Sequence, residues 1–218
     1  MNKINMDIIT LAVTPFSQNC RIVICKRTRQ AVVVDPGGDA DKIIAELAKH
    51  TVELKSILLT HGHLDHVGAA KQLAEHFDIK IIGPQKDELF WFDALPMQAQ
   101  MFGFKTIDTF YPDVWLEAGD TYTIGDLSFI VRHCPGHTPG HIVFYEATHQ
   151  VVLVGDVIFK GSVGRTDFPK GDAAQLLNSI KEQVLTLPDD TRILSGHGPD
   201  TKVAVERISN PFISGKFG

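Results

Sequence analysis

The densest group of chemically capable side chains lies between His61 and His66. Three histidines and one aspartate, Asp65, occupy this short stretch in the pattern His-x-His-x-Asp-His. Neutral imidazole and carboxylate are the ligands that zinc and other borderline metals prefer. Because Gly62 allows a tight turn between the first two histidines, the segment can direct several ligand atoms to one place. The pattern therefore predicts a metal-binding loop.

Further candidate ligands lie later in the chain. His137, Asp156 and His197 each come soon after an apolar run rich in β-branched residues. Ligands that meet at the carboxyl ends of strands are typical of α/β proteins. Five histidines and two aspartates can hold two metal ions and leave positions open for water. The predicted ligands are His61, His63, Asp65, His66, His137, Asp156 and His197.

Strand-like runs alternate with helical patterns in the first part of the chain. One run ends before Asp35, and Asp39 is expected to cap the helix that follows. A short buried strand then leads into the His61 loop, and a second helix follows that loop. This β-α-β-α-β order predicts helices that cover a sheet. The predicted strands cover residues 20–25, 31–34, 56–60 and 80–83.

The second part of the chain shows a similar alternation. Gly125-Asp126 between two β-like runs predicts a hairpin, and apolar residues at helical spacing from Leu176 to Val184 predict a helix. Further strands are predicted at residues 141–145, 151–154 and 192–194. No linker or break in composition interrupts the chain, so we expect residues 1–218 to form a single domain of the α/β class.

Residues 84–118 follow no clean period after a short helical pattern around residues 87–93. Long irregular segments in compact domains are often lids or binding loops. The alternative is a satellite hydrophobic cluster beneath a loop. The sequence leaves both interpretations open.

Composition excludes several classes of protein. With 21 Lys+Arg against 26 Asp+Glu, the formal net charge is −5, which argues against nucleic acid as the main partner. No apolar run is long enough to span a bilayer, and no secretory signal is evident, so a cytoplasmic protein with no membrane partner is expected. The three cysteines form no Cys-x-x-Cys pair and are predicted to be buried thiols.

The ligand pattern resembles the metallo-β-lactamase superfamily. The likeness rests on residues 60–68, followed in order by His137, Asp156 and His197. Segments 134–141 and 155–159 resemble the glyoxalase II (hydroxyacylglutathione hydrolase) branch. Segments 16–20 and 161–169 resemble its compact YcbL-type bacterial members. The resemblance implies a four-layer αβ/βα sandwich with a binuclear site. One metal would take His61, His63 and His137, the other Asp65, His66 and His197, and Asp156 would bridge them.

Two features depart from glyoxalase II. Because the sequence ends soon after His197, we expect no C-terminal helical domain of the kind that binds glutathione there. Arg165 and Asp167 also stand where that branch has a lysine and a tyrosine. The guanidinium of Arg165 can pair bidentately with a substrate carboxylate, and Lys160 could assist it. Asp35, at a strand end, is expected to hydrogen-bond a ligand imidazole.

The chemistry expected of such a site is hydrolysis. Two divalent ions, zinc first and iron or manganese as alternatives, can share a hydroxide because metal binding lowers the pKa of water from 15.7 to about 7. A thioester such as S-D-lactoylglutathione suits this attack, since its thiol can leave as a thiolate, giving D-lactate and glutathione. An amide would need a proton donor, for which Asp65 is the nearest candidate. Asp65 and Asp156 are therefore the predicted catalytic carboxylates.

Three rival functions use the same scaffold. A single iron could oxidise a persulfide, although Asp65, His66 and His197 would not then all be needed. A lactonase or phosphodiesterase would keep every ligand and change only the pocket. A non-catalytic metal-stabilised binding module would tend to have lost ligands, and none is missing. The sequence does not predict the oligomeric state.

Overall fold

The computed structural model describes residues 5–215 in two compact units. The first contains residues 5–116 and 123–127, and the second contains residues 117–122 and 128–215. Each unit has its own mixed β-sheet with helices, which confirms the predicted α/β class. The expectation of a single domain stays a prediction.

A five-stranded sheet forms the centre of the first unit. Its order follows the sequence, with the first three strands antiparallel and the last two added in parallel. Because Val and Ile favour the pleated, half-buried conformation, the central runs form strands as predicted. The sequence did not predict β1. The strands are β1 (Met6–Val13), β2 (Gln18–Cys25), β3 (Gln30–Val34), β4 (Glu53–Leu58) and β5 (Lys80–Ile82).

Helices α1 (Ala40–Ala48), α2 (Leu64–Val67) and α3 (Ala70–Phe77) follow the strands of this sheet. Helix α1 buries the apolar face that the sequence indicates, including Ile43. Asp39 occupies the predicted N-cap position, but its side chain makes no capping hydrogen bond. Asp39 adopts a left-handed conformation, and its carboxylate accepts from the Thr14 backbone N–H at 3.0 Å instead of capping the helix.

The segment that lacked a clear period is mainly helical between residues 86 and 102. A 3₁₀ turn (Lys86–Glu88) leads into α4 (Leu89–Asp93) and α5 (Leu95–Phe102). The prediction of an irregular chain there is wrong for α5. Polar and apolar residues are not separated onto opposite faces of this helix, so its sequence shows no clear helical period. Phe92, Leu95 and Ala99 join the hydrophobic core of the first unit.

A six-stranded mixed sheet forms the centre of the second unit, in the order β13-β12-β9-β8-β7-β6. Strands β9 and β12 pair in parallel, and the other pairings described are antiparallel. The predicted hairpin at Gly125-Asp126 connects β6 to β7, and residues 123–127 at its turn are counted with the first unit. The large sheet contains β6 (Thr121–Ile124), β7 (Leu127–His133), β8 (Ile142–Glu146), β9 (Val151–Gly155), β12 (Arg192–Ser195) and β13 (Thr201–Lys202), and β10 (Ile158–Phe159) pairs with β11 (Ser162–Val163).

Two helices complete the second unit. Helix α6 (Ala173–Ser179) continues into a π-helical turn (Ile180–Val184), and α7 (Val203–Ser209) lies near the end of the chain. Leu176, Ile180 and Val184 are buried on the predicted face. The sequence did not predict β10, β11, β13 or α7. All three cysteines are buried and form no disulfide, as predicted. Within residues 5–215, no helix has both the length and the apolar character to cross a membrane.

Candidate metal centre

Two neighbouring strand ends of the first unit are connected through one carboxylate. Strands β3 and β4 are parallel, so Asp35 and Thr60 emerge from the same edge of the sheet. The Thr60 backbone N–H donates to Asp35 Oδ1 at 2.8 Å, and the Thr60 hydroxyl donates to Oδ2 at 2.6 Å. Asp35 is only 3% exposed. These bonds stabilise a buried charge that would otherwise be costly.

Asp35 and Thr60 also determine which ring nitrogen carries the proton in two candidate ligand histidines. Asp35 Oδ2 lies 3.0 Å from His66 Nδ1, and a carboxylate only accepts, so Nδ1 carries the proton. The Thr60 hydroxyl proton is directed at Asp35, so its oxygen accepts from His61 Nδ1 at 3.0 Å. In both rings Nε2 therefore carries the lone pair that a metal ligand needs.

Ligand-type atoms of this loop lie close to one another. His61 Nε2 is 3.1 Å from His63 Nδ1, and His66 Nε2 is 3.8 Å from Asp65 Oδ2. The ligand atoms of Asp35, His61 and His66 also lie within 4.8 Å of one another. Because the Asp35 oxygens already accept three hydrogen bonds, we assign that residue to orientation of the rings and not to metal ligation.

Close backbone packing holds the helical turn that carries Asp65 and His66. The Ala69 N–H donates to the Pro36 carbonyl at 2.9 Å. A Cβ at Gly37 would overlap the carbonyl of Asp65. Glycine is therefore required after β3 for the loop to approach α2 this closely.

The second unit brings His137, Asp156 and His197 together. Asp156 follows β9 and His197 follows the parallel neighbour β12. Asp156 Oδ2 lies 3.8 Å from His137 Nε2 and 3.6 Å from His197 Nε2. One carboxylate oxygen thus faces both rings. The predicted grouping of these three residues at strand ends is present in this unit.

Hydrogen bonds also orient these residues. His137 Nδ1 donates to the Arg165 backbone carbonyl at 2.7 Å, which leaves the lone pair on Nε2. His141 is fully buried, and its Nε2 accepts from the Asp156 backbone N–H at 3.2 Å. His141 therefore positions the carboxylate-bearing residue.

The predicted substrate-binding cations are on the surface of the second unit. Arg165 Nε and Nη2 donate to the two carboxylate oxygens of Asp167, each at 2.6 Å, and the guanidinium stacks 4.1 Å from the ring centroid of Phe168. The hydrogen bonds from Arg165 lower the pKa of the Asp167 carboxyl to about 2, so the pair stays ionised at neutral pH. Lys160 is exposed. The Arg165 guanidinium, which was expected to bind a substrate carboxylate, is therefore already paired with the carboxylate of Asp167.

The donor set within each unit fits a divalent metal. Its atoms are imidazole nitrogens and carboxylate oxygens, which zinc and iron accept. Two such atoms on one tetrahedral ion lie about 3.3–3.6 Å apart. The separations within the units, 3.1–3.8 Å, bracket this range. Sequence reasoning assigned no role to Thr60, Glu88 or Gln98, because their contacts with the ligand loop have no sequence motif.

The sequence is similar to a known protein family and to named relatives. The sequence matches the family described as the metallo-β-lactamase superfamily over residues 13–197. A relative from Haemophilus influenzae, "Hydroxyacylglutathione hydrolase GloC", is 46% identical over 212 residues, which cover 97% of this chain and 100% of that protein.

Two solved structures are similar over almost their whole length. The BLEG-1 B3 metallo-β-lactamase has a TM-score of 0.88 and 36% identity, with 95% of this chain and 100% of that chain covered. TTHA1623, in a di-iron-bound form, has a TM-score of 0.85 and 35% identity, with 94% and 99% covered.

Asp156→Ala is expected to lower metal occupancy more than His197→Ala does. In the variant, two cations would lie close together without the negative charge of the carboxylate between them, so their mutual repulsion would be stronger. Metal analysis of each purified variant, after loading with zinc and removal of the excess, measures the effect. Full occupancy in Asp156→Ala would show that the aspartate has only a structural role.

Proposed function

The chain belongs to the metallo-β-lactamase superfamily, and we propose that it is a binuclear metal-dependent hydrolase of thioesters such as S-D-lactoylglutathione. Family membership confirms the predicted fold, an α/β sandwich of mixed sheets and helices. The 46% identity to a named hydroxyacylglutathione hydrolase across nearly the whole chain supports the substrate class. The observation that carries the proposal is the set of imidazoles whose Nδ1 atoms are held, so that Nε2 is presented as a ligand.

The proposed ligand assignment follows the superfamily pattern. One ion is assigned to His61, His63 and His137. The other is assigned to Asp65, His66 and His197, with Asp156 shared. The 3.1 Å separation of His61 and His63 ligand atoms supports their place on one ion. The approach of one Asp156 oxygen to both neighbouring rings supports a bridging role.

Two bound divalent ions would lower the pKa of a water molecule and polarise the substrate carbonyl. The chain's own contribution is to hold the donor atoms in place before substrate arrives. Asp35 and Thr60 keep the His61 and His66 rings in one tautomer, and the Arg165 carbonyl does the same for His137. Such preorganisation avoids reorientation of these rings during the reaction.

The leaving group favours a thioester over an amide. A thiol with a reference pKa of about 8.5 departs as a thiolate without a strong acid. An amine needs a proton, which Asp65 would pass on from the attacking water, because a carboxylate that binds a metal is itself ionised. Similarity to a B3 metallo-β-lactamase makes a β-lactam the amide to test beside the thioester. Persulfide oxidation at a single iron remains the redox alternative, and a lactone or phosphodiester remains the hydrolytic one.

Hydrolysis of S-D-lactoylglutathione by the purified protein should be lost after chelation and restored by zinc, iron or manganese. A lactone, a phosphodiester and a β-lactam, assayed in parallel, should be turned over with lower kcat/KM. Oxygen consumption with glutathione persulfide tests the redox alternative. A metal-loaded protein that leaves the thioester intact, or that prefers another member of this panel, would contradict the proposal.

We further propose that Arg165 binds a carboxylate of the thiol moiety after it releases Asp167. Arg165→Ala should then raise KM for the glutathione thioester several-fold with little change in kcat, as expected for lost uniform binding. Asp167→Asn should lower KM, because it weakens the internal pair that competes for the guanidinium. A neutral thioester of similar size is the control substrate. Equal losses on both substrates in Arg165→Ala would instead show that Arg165 maintains the loop conformation.

A further inference from the structure

A fully buried carboxylate contacts the ligand loop from the segment of residues 86–102, here called the clamp segment. Glu88 has no exposed surface, and its Oε2 accepts from the Gly62 backbone N–H at 2.7 Å. Gly62 separates His61 from His63 in the sequence. A buried charge is costly unless it is hydrogen-bonded, so this bond fixes Glu88 and the Gly62 peptide together.

A second buried side chain of the clamp segment holds the same loop. Gln98 is 4% exposed, and its Oε1 accepts from the Leu64 N–H at 2.9 Å. Its Nε2 donates to the Trp91 carbonyl at 2.9 Å and approaches the Gly62 carbonyl at 3.4 Å. The peptides on both sides of His63 are thus bonded to one amide, which is itself tied to α4.

Packing brings the clamp segment against the loop at van der Waals distance. The Trp91 ring lies edge-on to the His63 ring, with centroids 4.5 Å apart and an interplanar angle of 78°. A Cβ at Gly62 would stand 2.7 Å from Trp91 Cβ, closer than two such carbons can approach. Glycine at this position is therefore needed for the contact.

We propose that the clamp segment positions the metal-binding loop, with Glu88 and Gln98 as its positioning residues. Glu88 fixes the His61–Gly62 peptide, and Gln98 fixes the two peptides that flank His63. Together they set the separation of the His61 and His63 ligand atoms. Both residues bond the backbone of the loop, Glu88 at the Gly62 N–H and Gln98 at the Leu64 N–H. This inference rests on the proposed metal-dependent function, and it gives residues 86–102 a role that neither a lid nor a satellite cluster describes.

Zinc affinity, measured by competition with a chromophoric chelator, tests the proposal. Residues that orient metal ligands typically contribute about 10–100-fold to affinity, so Glu88→Ala and Gln98→Ala should each weaken binding within that range. Glu88→Gln retains a side-chain oxygen that can accept from Gly62 and should lose less than Glu88→Ala. The absorption spectrum of the cobalt-loaded protein should change in the two alanine variants, because the ligand geometry is altered.

Glu206→Ala is the matched control in the second unit. Glu206 is equally buried, and its carboxylate accepts from the Gly161 N–H at 2.9 Å and the Thr201 hydroxyl at 2.6 Å. Its loss should lower the melting temperature of the metal-free protein but leave the cobalt spectrum unchanged.

The outcomes separate the inference from the function on which it rests. Wild-type affinity and spectra in both Glu88→Ala and Gln98→Ala would overturn the clamp. An equal loss of zinc affinity in Glu206→Ala would overturn it too, because general destabilisation would then explain the effect. A wild-type protein that binds no metal would instead refute the proposed function itself. If Glu88→Ala does not fold, Gln98→Ala and Glu88→Gln still decide the question.

Discussion

The candidate metal centre depends on hydrogen bonds at the Nδ1 atoms of its histidines. An imidazole has two nitrogens, and only the one without a proton can bind a metal. A carboxylate, a hydroxyl and a backbone carbonyl hold the Nδ1 proton of His66, His61 and His137 respectively. None of these acceptors is itself assigned as a metal ligand. The tautomer is therefore set by the protein before any ion arrives.

The fold supplies those acceptors by placing them after strands. Asp35 and Thr60 follow two parallel strands of the first unit, and Arg165 follows the short strand β11 in the second. Backbone beyond a strand end is anchored by the sheet on one side only, so further contacts must hold it. The Gly37 approach to α2 and the bonds from Glu88 and Gln98 supply such contacts in the first unit.

The sequence predicted features whose signal is local. The His61 loop has a short motif, the central strands are runs of β-branched residues bounded by turn formers, and Gly125-Asp126 marks the hairpin. It did not reveal contacts made across long separations in the chain, such as those from Glu88 and Gln98 to the loop. The prediction for Asp39 failed for a different reason. Its carboxylate accepts a tertiary hydrogen bond from the Thr14 N–H and therefore does not bond to the first turn of α1. The Arg165–Asp167 pair is close in sequence, but its geometry could not be seen there.

An anomalous difference map from crystals of the zinc-loaded protein would show how many ions bind and through which ring nitrogens. We expect two zinc peaks, with His61, His66 and His137 each bound through Nε2. Their Nδ1 atoms should keep the hydrogen bonds to Thr60, Asp35 and the Arg165 carbonyl. A single peak would contradict the proposed binuclear site, and ligation of these rings through Nδ1 would contradict the assigned tautomers.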